Sequence, residues 1–267
     1  MKLIYLGDVV GRAGRKAVIN HIPALQKRFD PDFVILNGEN SAHGFGITSK
    51  ICKQFFDAGV SLITLGNHAW DQREIIDYIR AENRLLRPLN FPENTPGNGC
   101  GLYKTKTGKN IFVVQVMGNL FMEPLENPFH TVDKSLEKLT LGHNVDCIVV
   151  DIHAEATSEK MAMGQFLDGR VSLVVGSHSH VPTADTQILP NGTAYQTDAG
   201  MCGDYNSVIG MKIKPAVDRF LRKQSSQRLQ PAEGEGTACG VFLRTDDQTG
   251  LAVEINAIRL GGRLIPT

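Results

Sequence analysis

Six short runs dominated by Val, Ile and Leu recur along the chain, and none of them alternates with polar residues. They are Leu3–Leu6, Phe33–Leu36, Leu62–Leu65, Ile111–Val116, Cys147–Ile152 and Val171–Val175. Successive side chains of a strand point to opposite faces, so a strand that is apolar at every position must be covered on both. Between these runs lie Arg15–Arg28, Lys50–Ala58, Glu74–Glu82, Val132–Leu139 and Ser158–Phe166. Their apolar residues fall three and four apart, the repeat of amphipathic helices. This alternation predicts a layered α/β fold.

The last third reads differently. Thr193–Gln196, Gly240–Arg244 and Leu251–Arg259 have the pattern of antiparallel strands, the last two joined by the turn Asp246-Asp247-Gln248-Thr249-Gly250. They are expected to form a second sheet packed on the first. Ser225–Gly236, rich in Ser, Gln, Gly and Glu, reads as a mobile surface loop. With no internal repeat or linker, a single domain over residues 1–267 is expected.

Basic and acidic side chains number 28 each, giving a formal net charge of zero. A general nucleic-acid binder needs excess Lys and Arg to displace counterions, so no stable nucleic-acid complex is expected, whereas a small anionic substrate remains compatible. The first apolar run is too short for a signal peptide, and no later one approaches the roughly 18 to 20 residues of a membrane span. A soluble, cytoplasmic protein with no membrane partner is the expectation. The five cysteines are scattered without a C-x-x-C pair, which points to reduced thiols.

The residues just after each run carry the chemistry. The successive strand ends read Gly7-Asp8, Gly38-Glu39-Asn40, Gly66-Asn67-His68, Asp151-Ile152-His153 and Gly176-Ser177-His178-Ser179-His180. In an open parallel sheet such ends converge on one edge, where ligands bind. Asp, Glu, Asn and His gathered there predict a metal site, and mixed oxygen and imidazole donors suit Fe, Mn or Zn better than Ca or Mg. Asp8, Glu39, Asn40, Asn67, His153, His178 and His180 exceed the three or so ligands of a single catalytic ion. Two ions fit better, with the central Glu39 as the bridging carboxylate. Against this, Asp8 alone could cap the next helix, Asn67 could be a turn residue, and Asn40 could orient Glu39 or a water.

These motifs resemble those of the calcineurin-like metallophosphoesterases, in which D-x-H, G-D, G-N-H, H and G-H-x-H come after successive strands. Two positions depart from that pattern: Val10 stands where the general family has a metal-binding His, and Glu39 replaces the bridging Asp. Both departures are similar to the YmdB-like bacterial phosphodiesterases. Matching stretches are Gly38–Ala42 with Gly44–Thr48, Gly66–Asp71, Asp151–Lys160 and Thr197–Gly203, so the likeness covers nearly the whole chain. It implies a four-layer α/β/β/α sandwich with mixed sheets. It also implies hydrolysis of a small phosphodiester, 2′,3′-cyclic nucleotides such as 2′,3′-cAMP being the typical class, by a hydroxide held between the metals. Two divalent or trivalent transition-metal ions per chain are implied, iron ahead of manganese or zinc, and a homo-oligomer is suggested. Carried over by position, the first ion takes Asp8, Glu39, Asn40 and His180, and the second Glu39, Asn67, His153 and His178. His68 is implied as catalytic, as proton donor to the leaving oxygen or as electrostatic partner of the phosphate. The same metal site also accommodates a phosphomonoesterase or protein phosphatase, or a regulatory scaffold with structural metals.

The remaining features read as structural. His43 is expected in a solvated loop, and His21, His130 and His143 in structural or surface roles. Gly118–Phe129 reads as packing on the core ahead of a lid that stacks a base. Cys202 lacks a dedicated base and is not expected to be a nucleophile. No Walker or complete dinucleotide fingerprint occurs.

Overall fold

A computed structural model describes residues 1–222 and 228–267. The first half of the chain forms β1 (Lys2–Leu6), α1 (Gly11–Phe29), β2 (Phe33–Asn37), α2 (Ser49–Asp57), β3 (Leu62–Thr64), α3 (Ile75–Ala81), β4 (Leu85–Leu86), β5 (Cys100–Lys104) and β6 (Asn110–Met117). The second half forms α4 (Pro128–Leu136), β7 (Cys147–His153), α5 (Thr157–Leu167), β8 (Leu173–Ser177), β9 (Gln187–Ile188), β10 (Ala194–Gln196), α6 (Ile213–Arg222), β11 (Ala238–Thr245) and β12 (Ala252–Leu260).

The described strands make two six-stranded mixed sheets, ordered β12-β11-β1-β2-β3-β4 and β5-β6-β7-β8-β10-β9. Strand periodicity shows how they stack. Ile4 and Leu6 of β1 pack on Val18, Ile22 and Leu25 of α1. Leu3 and Tyr5, pointing the other way, meet Ile111, Val113 and Val149 of the second sheet. Phe112, Val114, Ile148 and Val150 then face Val132 and Leu136 of α4 and Met163 and Leu167 of α5. The result is the α/β/β/α sandwich, and it explains the unbroken apolar runs: one face of each strand packs on helices, the other on the opposite sheet.

The last third does not build a sheet of its own. β10 runs parallel beside β8, with Ala194 opposite Leu173. β11 runs antiparallel beside β1, with Leu243 opposite Leu3, and β12 pairs with β11. An edge left on β1 would expose unpaired backbone donors beside the core, and β11 satisfies them. Three short strands, β4, β5 and β9, and the helix α6 add to the elements expected from the sequence pattern. Lys214-Pro215 lies in the first turn of α6, where a proline removes no intrahelical hydrogen bond. α4 starts at Pro128, a turn before the expected Val132, because the Asn127 side chain accepts from the amides of Phe129 and His130. Within the expected mobile loop, 225–227 lie outside the described residues. The remainder is pinned: the amides of Lys212, Ala232 and Gly234 bond to Gln230 O, Gly210 O and Asp204 Oδ2 at 2.8 to 2.9 Å.

β1, β2 and β3 of one sheet and β7 and β8 of the other all end at the same edge of the sandwich. The segments expected to carry ligands therefore meet across the seam between the sheets. No described helix is long and apolar enough to cross a membrane.

Candidate metal centre

Asp8 is not the cap of α1. That helix begins at Gly11 after Val10 and has no side-chain cap, which leaves the Asp8 carboxylate to accept the backbone N–H of His178 at 3.1 and 3.2 Å. Glu39 sits at the centre. Its Oε2 accepts the backbone N–H of His68 at 3.0 Å, and its Oε1 accepts Asn40 Nδ2 at 3.0 Å and lies 3.2 Å from His153 Nε2. His153 Nε2 is also 2.9 Å from Asn67 Oδ1 and 3.1 Å from His178 Nδ1. His180 Nε2 lies 4.0 Å from Asp8 Oδ1 and 3.0 Å from Asn40 Nδ2. Gly66 must be glycine, since a Cβ there would collide with the Glu39 carboxylate and the His153 ring.

Two triads emerge, Glu39–His153–His178 and Asp8–Glu39–His180, with ligand atoms in each within 4.8 Å of one another. Glu39 belongs to both. All seven expected ligands are gathered, together with His68. Asn40 presents its Nδ2 toward Glu39 and His180, so as placed it orients Glu39; turning the amide over would offer Oδ1 instead.

Each imidazole is held through its other nitrogen, as metal ligands characteristically are. His153 Nδ1 lies 2.9 Å from Ser177 Oγ, His180 Nδ1 2.8 Å from Ile209 O, and His178 Nε2 3.2 Å from Glu155 Oε2. His178 and His180 adopt left-handed backbone conformations, φ 93° and 65°. Ser179 between them donates its N–H and hydroxyl to Asp198 Oδ2 at 3.1 and 2.7 Å, and Asp198 in turn holds buried Lys160 Nζ at 2.7 Å. Such conformations cost energy and persist where the surroundings over-determine them. Sequence reasoning missed these supports, although Lys160, Asp198 and Glu155 all lie within the motif stretches.

The donor set fits a cation. His153 Nε2 can carry at most one proton, yet it faces the oxygens Glu39 Oε1 and Asn67 Oδ1 and also His178 Nδ1, a third lone pair when the His178 proton sits on Nε2 beside the Glu155 carboxylate. One proton cannot satisfy three acceptors at a buried atom. Asp8 and Glu39 are fully buried, and among the described residues the basic groups within ion-pair distance of them are His153 and His180. Burial and these neighbours together set the electrostatics. Burial raises the Asp8 carboxyl to about 6 despite His180 and His153 nearby. Burial would raise Glu39 too, but the charge and hydrogen bond of His153 outweigh it and hold Glu39 below the ordinary range. Burial would lower His153, yet Glu39 and Asp8 lift it to about 9. His178 is pushed down to about 3 by burial and by the charge on His153.

His68 does not join the triads. Its Nδ1 lies 2.9 Å from Asp71 Oδ2, and its ring meets Phe45 edge-on at 5.0 Å. It lines a cavity of about 240 Å³ with Glu39, His178 and His180 on one side and Phe45, Met211 and Leu229 on another. Larger grooves, such as one of about 520 Å³ along Arg12, Lys16 and His21, contain none of the expected ligands.

The family model described as "YmdB-like protein" matches residues 4–258. The chain belongs to the YmdB-like family. It is 45% identical over 258 residues to the 2′,3′-cyclic-nucleotide 2′-phosphodiesterase of Bacillus subtilis, covering 97% of this chain and 96% of that protein. A solved structure titled as a hypothetical protein from Thermus thermophilus superposes with a TM-score of 0.91 at 40% identity, covering 98% of this chain and all of that one. One titled as a novel phosphatase from Mycoplasma pneumoniae gives 0.90 at 34% identity, covering 98% of this chain and 93% of that one. In this YmdB-like chain the position of the general family's additional His is filled by packing: Val10 is buried against Met201 and Met211.

The structural readings divide. His43 is exposed. Cys202 is buried, and burial pushes its thiol well up, which suits no nucleophile. In 118–129, Met122, Pro128 and Phe129 pack as expected, but Phe121 is 89% exposed with φ 62°.

Proposed function

We propose that this chain is a metal-dependent phosphodiesterase acting on 2′,3′-cyclic nucleotides. Asp8, Glu39, Asn40 and His180 would hold one ion, and Glu39, Asn67, His153 and His178 a second, with iron ahead of manganese or zinc. The membership of Glu39 in both triads carries this reading, because one carboxylate within reach of two imidazole sets is what a pair of ions needs. The printed activity of the Bacillus subtilis relative supports the substrate class. When bound, such ions neutralise phosphate oxygens and acidify water.

The chain's own residues supply the rest. His68, tied through Nδ1 to Asp71, presents Nε2 to the cavity and donates a proton there to the leaving oxygen. The backbone N–H of His68 steadies Glu39, so the bridging group and the acid are set by one tripeptide, Gly66-Asn67-His68. Phe45, Met211 and Leu229 give the cavity an apolar wall against which a ribose or base excludes water. Opening of the cyclic diester leaves a phosphomonoester carrying one more negative charge. We further propose a homo-oligomer.

The test couples metal analysis to turnover. The purified protein is expected to hold about two ions per chain and to open 2′,3′-cAMP in preference to p-nitrophenyl phosphate. Glu39→Gln should lose both ions and activity while retaining its circular dichroism spectrum. Turnover of the monoester alone would overturn the substrate class, and absence of metal under every supply would overturn the mechanism.

A further inference from the structure

We propose that Asp151 is a positioning residue of the metal centre, fixing the tautomer of His153 through the hydroxyl of Ser177. This rests on the metal reading above. Along β7 the residues Cys147, Val149 and Asp151 point into the layer between the sheets, and His153 stands at its mouth. That layer is apolar until it nears the candidate centre, where it becomes polar: Thr64, Gln115, Asp151 and Ser177 are all fully buried.

The hydrogen bonds there have a fixed direction. Asp151 Oδ2 accepts Tyr5 OH at 2.8 Å, Thr64 Oγ1 at 2.6 Å and Gln115 Nε2 at 3.1 Å. The Gln115 amide cannot be turned over, because its Oε1 accepts the backbone N–H of Leu65 at 3.0 Å. Asp151 Oδ1 accepts the Ser177 hydroxyl at 2.8 Å. A serine has one proton to give, and with that proton on Asp151 its oxygen can only accept from His153 Nδ1, 2.9 Å away, and more weakly from Asn37 Nδ2 at 3.4 Å. The neutral His153 imidazole therefore keeps its proton on Nδ1, leaving the lone pair on Nε2, the atom beside Glu39 and Asn67. A metal needs that lone pair.

Asp151→Asn reverses the chain of bonds without changing its shape. Gln115 Nε2 is a donor, so the new amide nitrogen cannot face it and must face Ser177. The Ser177 proton then points at His153 Nδ1, which becomes an acceptor, and the imidazole proton moves to Nε2, where it blocks the metal.

Zinc titration of chelator-stripped protein tests this without substrate. Asp151→Asn and Ser177→Ala should each weaken the position formed by Glu39, Asn67, His153 and His178 by about 10- to 100-fold. Binding at the Asp8–His180 side should persist, and the metal-free melting temperature of Asp151→Asn should not fall. Tyr5→Phe removes one Oδ2 donor but leaves the Ser177 relay intact, and should bind zinc as the wild type does. In zinc-loaded wild type a slowly exchanging His153 Nδ1–H resonance is expected, and Ser177→Ala should lose it. Unchanged zinc affinity in Asp151→Asn and Ser177→Ala, or an equal loss in Tyr5→Phe, would overturn the assignment. If Asp151→Asn fails to fold, Ser177→Ala and the resonance still decide. A wild type that binds two zinc ions but leaves 2′,3′-cAMP intact would sink the proposed activity and leave this assignment standing.

Discussion

At the scale of single residues, His68 and His153 put one side-chain type in two contrasting settings, and the proposal gives them different tasks. His68 is paired with Asp71 and open to the cavity. His68→Ala should lower kcat about 100-fold or more while metal content stays at the wild-type level, as general-acid removal does; parallel loss of metal would make it a ligand instead. His153 is buried and lifted to about 9 by its neighbours. A raised His pKa stabilises the metal-free fold fully below the unfolded value of about 6.5 and loses that contribution as pH rises through about 9. Metal binding must displace the same proton, so affinity should climb from pH 6.5 to 9 with about one proton released per ion bound there. Calorimetry in buffers of different ionisation enthalpy measures that release, and a flat profile would contradict it. The proposed ligand residues are legible in the sequence because each lies just beyond a strand-like run. Asp71, three residues after His68, is within reach of a spacing argument, whereas Ser177 and Asp151 meet their partners only through other strands.

At the scale of elements, the runs and repeats reveal which segments are strands and helices, but not which strands are neighbours. β11 is recognisable as a strand, yet it joins the first sheet beside β1 rather than a separate one, since its apolar pattern suits an inner position in either. α6 is legible in the same way, since Ile213, Ala216, Val217, Phe220 and Leu221 recur at three- and four-residue spacing, although Ile213, Val217, Phe220 and Leu221 stay exposed. The turn after β8 owes its shape to α5, which contributes Lys160 to the buried pair with Asp198. Lys160→Met should cost about 3–5 kcal/mol by leaving that carboxylate uncompensated. Denaturant unfolding reads the loss, and an unchanged midpoint would mean that Ser179 and the backbone amides suffice.

At the scale of the molecule, the proposed ligands sort by sheet. Asp8, Glu39, Asn40 and Asn67 lie beyond strands of one sheet, and His153, His178 and His180 belong to strand ends of the other. Stripping metal should therefore lower the melting temperature by on the order of 10 °C when the free ion had stood at a thousand times its Kd. Equal melting with and without chelator would show that the seam holds without ions. The division has a further consequence. A chain in which only one sheet has assembled offers oxygen donors without imidazoles, or imidazoles without oxygen donors, and neither half would hold the two proposed ions. On the proposed mechanism, nascent or damaged copies would stay inert toward phosphoesters until both halves close, which would make hydrolytic competence a certificate of complete folding.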